Sequence, residues 1–182
     1  MVQSEKRLVF SADDIGFQVQ RLADQISADY EGKDVILIGV LKGAFVFLAD
    51  LARRLTIPAQ LDFVRIASYG EGSVSSGKIR ITTDVELELT DRNVIIVEDI
   101  VDSGLTTSFL RQYLSAKNPR SLKICTLLDK AERRKVSVPL DYVGLRLEKG
   151  FVVGYGLDYN EAHRQLPDIY ELILEPLSGT VT

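Results

Sequence analysis

The stretch VIIVEDIVDSGLTTSF, residues 94–109, joins an apolar run to the start of an amphipathic segment. The run VIIV is β-branched throughout, which is typical of a strand buried on both faces of a parallel sheet. Three carboxylates follow, on Glu98, Asp99 and Asp102, and after Ser103-Gly104 the segment TTSFLRQYLSA has helical periodicity. This order predicts a strand, a polar turn at its carboxyl end, and a helix.

Strand and helix signals alternate on both sides of this stretch. The order is typical of a three-layer α/β domain with a mainly parallel sheet, formed by residues 1–182 as one domain. A Gly/Ser-rich segment followed by alternating residues, 70–89, predicts an exposed hairpin or flap. The predicted strands are VILIGV (35–40), LDFVRIASY (61–69), VIIVEDI (94–100), SLKICTLL (121–128), LDYVGLRL (140–147), FVVGYGLDYN (151–160) and IYELILE (169–175); the predicted helices begin near Ser11, Ala44 and Thr106.

The composition argues against several classes of protein. A hydrophobic content of 46% and a charged content of 26% are typical of a globular chain. The net charge of −4 argues against nucleic acid or an anionic membrane as partner. No apolar run approaches the ~18 residues of a membrane span, and the first residues lack the apolar core of a secretory signal. The single cysteine, Cys125, excludes an internal disulfide, so a cytoplasmic location is expected.

The turn after the central strand has the features of a phosphate site. Gly104 permits backbone close to a ligand, and the first amides of the following helix lack partners within it. These donors, the helix dipole and the hydroxyls of Ser103, Thr106 and Thr107 favour a bound phosphate. Carboxylates beside it suit sugar hydroxyls or Mg²⁺, so the combination indicates a phosphorylated sugar. The alternative is an Asp/Ser helix cap with solvated acids.

The complete motif from Val94 to Thr106 indicates a protein family more specifically than the phosphate turn alone. Four apolar residues, Glu-Asp, two apolar residues and Asp-Ser-Gly-x-Thr resemble the signature of type I phosphoribosyltransferases, which bind 5-phosphoribosyl-1-diphosphate. The resemblance covers nearly the whole chain, in particular to the hypoxanthine-guanine phosphoribosyltransferases. It implies the type I phosphoribosyltransferase fold, with a flexible lid at about 68–83 and a small hood from the N-terminal segment and about 148–182. The residues it assigns to the sugar diphosphate are Glu98 and Asp99, for the ribose hydroxyls directly or through metal and water, and Asp102, Ser103, Gly104, Leu105, Thr106 and Thr107.

Two loops resemble moving or strained parts of this family. Leu41-Lys42-Gly43 is similar to the pyrophosphate loop, in which a non-proline cis peptide is typical, at either Leu41-Lys42 or Lys42-Gly43. The alternative is a plain strand-to-helix turn. Ser68-Tyr69 is similar to the start of the lid, which would close over the reacting centre and exclude water. Without the family, residues after Tyr69 are simply a polar loop.

The predicted base site lies further along the chain. The resemblance implies that Lys130 donates to the 6-oxygen of a purine, and an ammonium group has no acceptor to offer the 6-amino group of adenine. It also implies that Phe151 stacks on the base and that the Val152 carbonyl contacts the edge of the base. Asp158 would lie at the base site and bind Mg²⁺ on the diphosphate. Read alone, FVVGYG is a core strand and the residues after it form a polar loop.

Three basic residues lie near these motifs. Arg164 would contact the leaving pyrophosphate, since its planar fork matches phosphate oxygens. Arg134 matches a family arginine near the pyrophosphate or a subunit interface, or else belongs to a solvated basic turn. His163, the single histidine, is expected to be an ordinary loop residue.

The resemblance implies a purine salvage enzyme that makes IMP or GMP and pyrophosphate from hypoxanthine or guanine. Its catalytic residues would be Asp102, Lys42 and Arg164, with Asp102 as general base or hydrogen-bond acceptor for N7. Mg²⁺ would be bound by Glu98, Asp99 and Asp158, and the protein would form a homodimer or homotetramer. The alternatives are a transferase for xanthine or a pyrimidine, a nucleotide-sensing RNA-binding protein of the same fold, and a purely structural domain.

Overall fold

The structure is a computed structural model that describes residues 4–69 and 78–174. In chain order its elements are β1 (Ser4–Phe10), α1 (Ala12–Asp29), β2 (Val35–Leu41), α2 (Phe45–Ala52), β3 (Ala59–Tyr69), β4 (Lys78–Thr83), β5 (Asn93–Val101), α3 (Leu105–Ser115), β6 (Ser121–Lys130), β7 (Tyr142–Leu147), β8 (Val152–Val153) and β9 (Ile169–Leu174). Within these residues no helix is long and apolar enough to cross a membrane.

The central sheet has six strands in the order β4-β3-β2-β5-β6-β7. All its pairings are parallel except that of β3 with the edge strand β4. The mainly parallel α/β prediction is therefore confirmed. Because β2, β5 and β6 are neighbours, the loops that follow them meet at one edge of the sheet. That edge brings together Lys42-Gly43, residues 98–107 and Lys130.

Alternate side chains of β2 and β5 cover opposite faces of the sheet. Leu37 and Ile95 pack in the cluster that includes the apolar stripes of α1 and α2. Ile36 and Ile96 pack instead with Leu110 of α3. The sheet is thus the middle of three layers, and each Leu or Ile buried in this way contributes roughly 1.5–3 kcal/mol. Burial on both faces explains why these strands have uninterrupted apolar runs.

A second sheet consists of three antiparallel strands in the order β1-β9-β8. It joins the segment near the N-terminus to residues 152–174. Only Val152–Val153 of the strand predicted at 151–160 form a strand here. The chain turns after them because Gly154, Tyr155 and Gly156 have φ angles of 102°, 49° and 98°.

The predicted lid, about 68–83, falls at the edge of the central sheet. Ser68 and Tyr69 end β3 and pair with Ile79 and Lys78 of β4. The intervening residues 70–77 lie outside the described part of the chain. Leu89, at the end of the predicted exposed flap, is fully buried because it packs into the cluster on the α3 side of the sheet.

Candidate active site

A sharp turn connects β5 to α3. Gly104 has φ = +78°, a conformation that residues with side chains disfavour. A Cβ on Gly104 would also lie 2.4 Å from the carbonyl oxygen of Val136, so glycine alone fits. No side chain at the N-cap position caps α3; the Leu105 amide donates to Ser103 Oγ, and the next amides of the first turn suit an anion. This backbone form is compatible with a phosphate site at the turn, which stays a prediction.

The hydroxyls of this turn point in different directions. Thr107 is 3% exposed and donates its hydroxyl to Oε1 of Glu98 over 3.5 Å. Ser103 Oγ accepts from the Leu105 amide over 3.4 Å, and the side chain of Ser103 is partly exposed, as is that of Thr106. Ser103 and Thr106 are thus the hydroxyl groups accessible to a ligand.

The two acids that end β5 have different surroundings. Burial, with the nearby charge of Asp99, raises the pKa of Glu98 well above its usual value. Burial also raises the pKa of Asp99, to about 6. Asp99 lines a cavity at the end of the sheet, whereas Glu98 is 5% exposed and is not among the residues that line that cavity. Of the two acids, Asp99 is the one that lines the cavity.

The loop after β2 lies directly against Asp99. Its cis peptide bond is Leu41–Lys42, the first of the two positions considered. A Cβ on Gly43 would lie 1.7 Å from Oδ2 of Asp99, and a Cβ on Gly156 would lie 2.2 Å from the carbonyl oxygen of Gly43. Gly156 is required because its Cβ would clash with a backbone carbonyl, whereas a side chain on Gly43 would have to displace the carboxylate of Asp99.

Two cations of the predicted pyrophosphate site share one carboxylate. Lys42 Nζ lies 2.8 Å from Oε2 of Glu161, and Arg164 Nη2 lies 3.4 Å from the same oxygen. Arg164 Nη2 also lies 2.8 Å from Oδ1 of Asp158, and its Nη1 donates to the carbonyl of Gly156. Glu161 was not predicted. Its position within the motif that contains Arg164 was an available signal, but its contact with Lys42 joins residues 119 apart.

A cavity of about 250 Å³ is bounded on one side by the ends of β5 and β6. The residues around β8 bound it on the other side. Phe151 is 46% exposed, and its ring meets the ring of Tyr159 edge-on, with 5.6 Å between the ring centroids. A flat apolar surface is therefore open to the cavity. Lys130 is almost fully buried, and its Nζ lies 3.5 Å from Oδ2 of Asp102. The cavity is lined by Asp99, Ile100, Asp102, Lys130, Gly150, Phe151, Val152, Leu157 and Asp158.

Two buried polar atoms in this region have no hydrogen-bond partner among the described residues. They are Oδ1 of Asp102 and Nε of Arg164. Leaving such a group unpaired costs about 1–3 kcal/mol, so buried polar atoms are normally satisfied. One of these atoms is an acceptor and the other a donor. They indicate a ligand that donates beside Asp102 and accepts beside Arg164.

The acids of the site suit a cation that is also bound by water and by substrate oxygens. Among residues 4–69 and 78–174 no three His, Cys, Asp or Glu side chains converge as a metal cage. Asp158 is near enough to Asp99 for its charge to contribute to the raised pKa. A pair of carboxylates fits a hard divalent ion that completes its shell with water and substrate phosphate.

Comparison with known proteins agrees with this geometry. The profile of the phosphoribosyl transferase domain matches residues 10–160. The hypoxanthine-guanine phosphoribosyltransferase of Mycobacterium tuberculosis is 45% identical over 167 residues, which are 88% of this chain and 83% of that protein. The hypoxanthine phosphoribosyltransferase of Escherichia coli is 42% identical over 163 residues, 88% of this chain and 92% of that protein.

Solved structures lead to the same group of enzymes. The crystal structure of a hypoxanthine-guanine phosphoribosyltransferase from Bacillus anthracis superposes with a TM-score of 0.87 at 41% sequence identity. The match covers 94% of this chain and 99% of that one. Fold, turn geometry and sequence agree, and the chain belongs to the phosphoribosyltransferase family.

Proposed function

We propose that this protein joins hypoxanthine or guanine to 5-phosphoribosyl-1-diphosphate, forming IMP or GMP and releasing pyrophosphate. The observation that carries the proposal is that Lys130, Phe151 and Asp102 line one cavity beside the turn at Gly104. A buried ammonium group, an open aromatic face and a carboxylate suit a flat 6-oxopurine. The names of the relatives from M. tuberculosis and E. coli support the same reaction.

Base selection would follow from hydrogen-bond donors. Lys130 offers donors and no acceptor, so it pairs with a 6-oxo group and leaves a 6-amino group unsatisfied. Since its side chain is only 6% exposed, water cannot readily take the place of the missing partner. Phe151 would hold the ring plane, and the carbonyl of Val152 would meet the edge of the base.

During the reaction the bond from ribose C1 to pyrophosphate breaks and a bond to N9 of the base forms. Negative charge grows on the leaving group, and Lys42 and Arg164 would stabilise it. The base gives up a proton, and Asp102 is the acceptor or hydrogen-bond partner for it at N7. The unpaired Oδ1 of Asp102 and Nε of Arg164 support these two roles.

Asp99 and Asp158, with Glu98 in its buried position behind them, are the proposed Mg²⁺-binding acids. A bound Mg²⁺ ion would neutralise part of the charge on the diphosphate. Residues 102–107 would hold the 5-phosphate. In this arrangement Lys42 and Arg164 would bind the diphosphate at one end of the sugar and residues 102–107 the 5-phosphate at the other end. The acids would lie along the ribose between them.

We further propose the division of the chain into a core, a lid and a hood. Residues 68–83 would act as the lid over the reacting centre. The β1-β9-β8 sheet supports a hood built from the N-terminal segment and residues from about 148 onward, because it pairs these parts of the chain. The β8 strand follows Phe151 directly, so the hood would carry the ring that stacks on the base.

A homodimer or homotetramer is also proposed. Phe45 on α2 and Leu61 and Phe63 on β3 are 45%, 47% and 38% exposed. Burial of such side chains in a subunit interface would be favourable. Light scattering after size-exclusion chromatography measures the mass, and a monomer at micromolar concentration would contradict the proposal.

The test of the reaction is an incubation with 5-phosphoribosyl-1-diphosphate, Mg²⁺ and one base at a time. We expect nucleotides from hypoxanthine and guanine and none from adenine or uracil, identified by chromatography and mass. A nucleotide formed from uracil, or from xanthine alone, would contradict hypoxanthine and guanine as the substrates. An inactive protein that retains RNA on a filter would favour the nucleotide-sensing alternative.

A further inference from the structure

We propose that Arg134 is a positioning residue that shapes the phosphate turn from behind and joins it to the base-binding end of β6. The inference rests on the proposed function, because it assigns residues 102–107 to the 5-phosphate. The sequence left Arg134 between a pyrophosphate contact, an interface residue and a solvated charge. Its contacts point to a different role.

The guanidinium group of Arg134 holds two consecutive carbonyls of the turn. Its Nε donates to the carbonyl of Asp102 over 2.8 Å, and its Nη2 donates to the carbonyl of Val101 over 2.9 Å. The same Nη2 lies 2.5 Å from Oδ1 of Asp129, and both side chains of this ion pair are only 20% exposed. A planar fork suits such a set of fixed acceptors, whereas an ammonium group does not.

The backbone after Arg134 takes the next carbonyl. The amides of Lys135 and Val136 both donate to the carbonyl of Ser103, over 2.9 and 3.1 Å. Residues 134–136 therefore bind the carbonyls of 101, 102 and 103 in succession. We call residues 134–136 the supporting segment.

Binding three successive carbonyls determines where the amides point. In a trans peptide unit the C=O and the following N–H point in opposite directions. With the carbonyls of Val101, Asp102 and Ser103 directed at the supporting segment, the amides of residues 102–104 are directed away from it. A row of amides facing one side, followed by a helix N-terminus, is the arrangement that binds phosphate.

There is no free space between the turn and its support. A Cβ on Gly104 would lie 2.4 Å from the carbonyl oxygen of Val136 and 3.1 Å from Cδ of Arg134. The left-handed glycine thus lies directly on the supporting segment. Its conformation, and with it the start of α3, depends on where that segment lies.

Arg134 also connects the turn to the base cavity. Its partner Asp129 immediately precedes Lys130 and is paired with Val101 across the β5–β6 ladder. Asp102, whose carbonyl Arg134 holds, has its carboxylate 3.5 Å from Lys130. One guanidinium group therefore positions the backbone that binds the 5-phosphate and the acid that would face the purine.

The role of Arg134 is tested with two ligands, each of which reports on a different proposed anion site. Ribose 5-phosphate reports on the phosphate turn, and pyrophosphate with Mg²⁺ reports on the region of Lys42 and Arg164. Both are titrated by calorimetry into the wild-type protein and the variants Arg134→Lys and Arg134→Gln. Since both variants lose the charged fork that binds the carbonyls of residues 101 and 102, we expect ribose 5-phosphate affinity to fall about tenfold or more in both. Pyrophosphate affinity should stay within about twofold of wild type, because its proposed ligands do not touch Arg134.

The neighbouring Arg133→Gln variant is the matched control, since Arg133 is exposed and its loss changes the charge equally. It should bind both ligands as the wild type does. If the Arg134 variants do not fold, Asp129→Asn removes the anchor of the guanidinium and should weaken ribose 5-phosphate in the same direction, to a smaller extent. Wild-type affinity of Arg134→Lys for ribose 5-phosphate, or an equal loss for both ligands, would overturn the inference.

Failure of the proposed function has a separate signature. In that case the wild-type protein would form no nucleotide from any base. The two titrations contain no base, so they test the role of Arg134 independently of the overall reaction. In the active enzyme, the KM for 5-phosphoribosyl-1-diphosphate should rise more in Arg134→Lys than the KM for the purine.

Discussion

The Nζ of Lys42 lies 2.8 Å from Oε2 of Glu161, and that same oxygen lies 3.4 Å from Nη2 of Arg164. A single carboxylate oxygen thus lies between the two cations proposed to bind the leaving pyrophosphate. Glu161 is itself held by its amide, which donates to Oδ2 of Asp158. A ligand phosphate oxygen that bound both cations would have to displace the Glu161 carboxylate.

The first prediction concerns this competition. Glu161→Gln removes the charge and should tighten pyrophosphate binding by roughly two- to fivefold, since exposed ion pairs contribute about 0–1 kcal/mol. The effect is measured as the inhibition constant of pyrophosphate as product. Glu31→Gln, an exposed change of equal charge on another surface, should leave that constant unchanged. Weaker binding in Glu161→Gln would show that the carboxylate orders the cations instead of competing for them.

The second prediction concerns base selection. Lys130→Met removes the buried donors and should lower kcat/KM for hypoxanthine about 10- to 100-fold, because hydrogen bonds to charged groups contribute about 1.5–3 kcal/mol. Selectivity against adenine should fall in the same variant. Steady-state rates with both bases measure the ratio, with the exposed Lys6→Met as control. Retained selectivity would mean that another group reads the 6-position.

The third prediction concerns Asp102. Replacing it by Asn keeps the shape but removes the proton acceptor, so turnover should fall about 100-fold or more. Binding of 5-phosphoribosyl-1-diphosphate should change much less, because the backbone of the turn is retained. Single-turnover rates and equilibrium binding separate the two effects. Asp91→Asn is the control, since Asp91 is an exposed turn residue with φ = 58°, which Asn also tolerates. Equal losses of turnover and binding would argue against a role in proton transfer.

The fourth prediction concerns pH and the stability of the metal-free protein. Burial raises the pKa of Asp99 to about 6, so between pH 4 and 6 the folded state holds a proton that the unfolded state has released. The free energy of unfolding should therefore decrease as pH rises through this window, by up to about 3 kcal/mol from this group. Asp99→Asn should flatten that decrease and be the more stable protein at pH 7.5.

Chemical denaturation in EDTA at a series of pH values measures this difference. The same Asn variant should lose activity, since it also lacks the acid proposed for metal and ribose. A wild-type profile that rises between pH 4 and 6 in parallel with that of Asp99→Asn would contradict the prediction.

Local patterns made the strands and the sharp turn between β5 and α3 predictable. The VIIV run is buried on both faces, and helical spacing placed α3 to within a residue of its observed start at Leu105. The signature at Asp102 to Thr106 is continuous in sequence, so it can be recognised without knowledge of distant partners. Its conformation, in contrast, also depends on residues 134–136, which bind its carbonyls.

Contacts between distant segments could not be read in the same way. The pairing of β1 with β9 joins Ser4 to Leu174, and no periodicity in either segment identifies the other. The turn at Tyr155 was missed because its positive φ contradicts the strand propensity of FVVGYG. Arg134 remained undecided for a related reason, since its acceptors are backbone carbonyls that carry no sequence signal.

The contact between Gly43 and Asp99 limits how this active site can change over evolution. A side chain on Gly43 would displace the Asp99 carboxylate, and one on Gly156 would clash with the Gly43 carbonyl, so the end of β5 and two loops from separate parts of the chain pack closely against one another. New substrate preferences cannot arise by rebuilding these loops one at a time. They have to come from exchange of side chains around the proposed base cavity, such as Lys130 and Phe151.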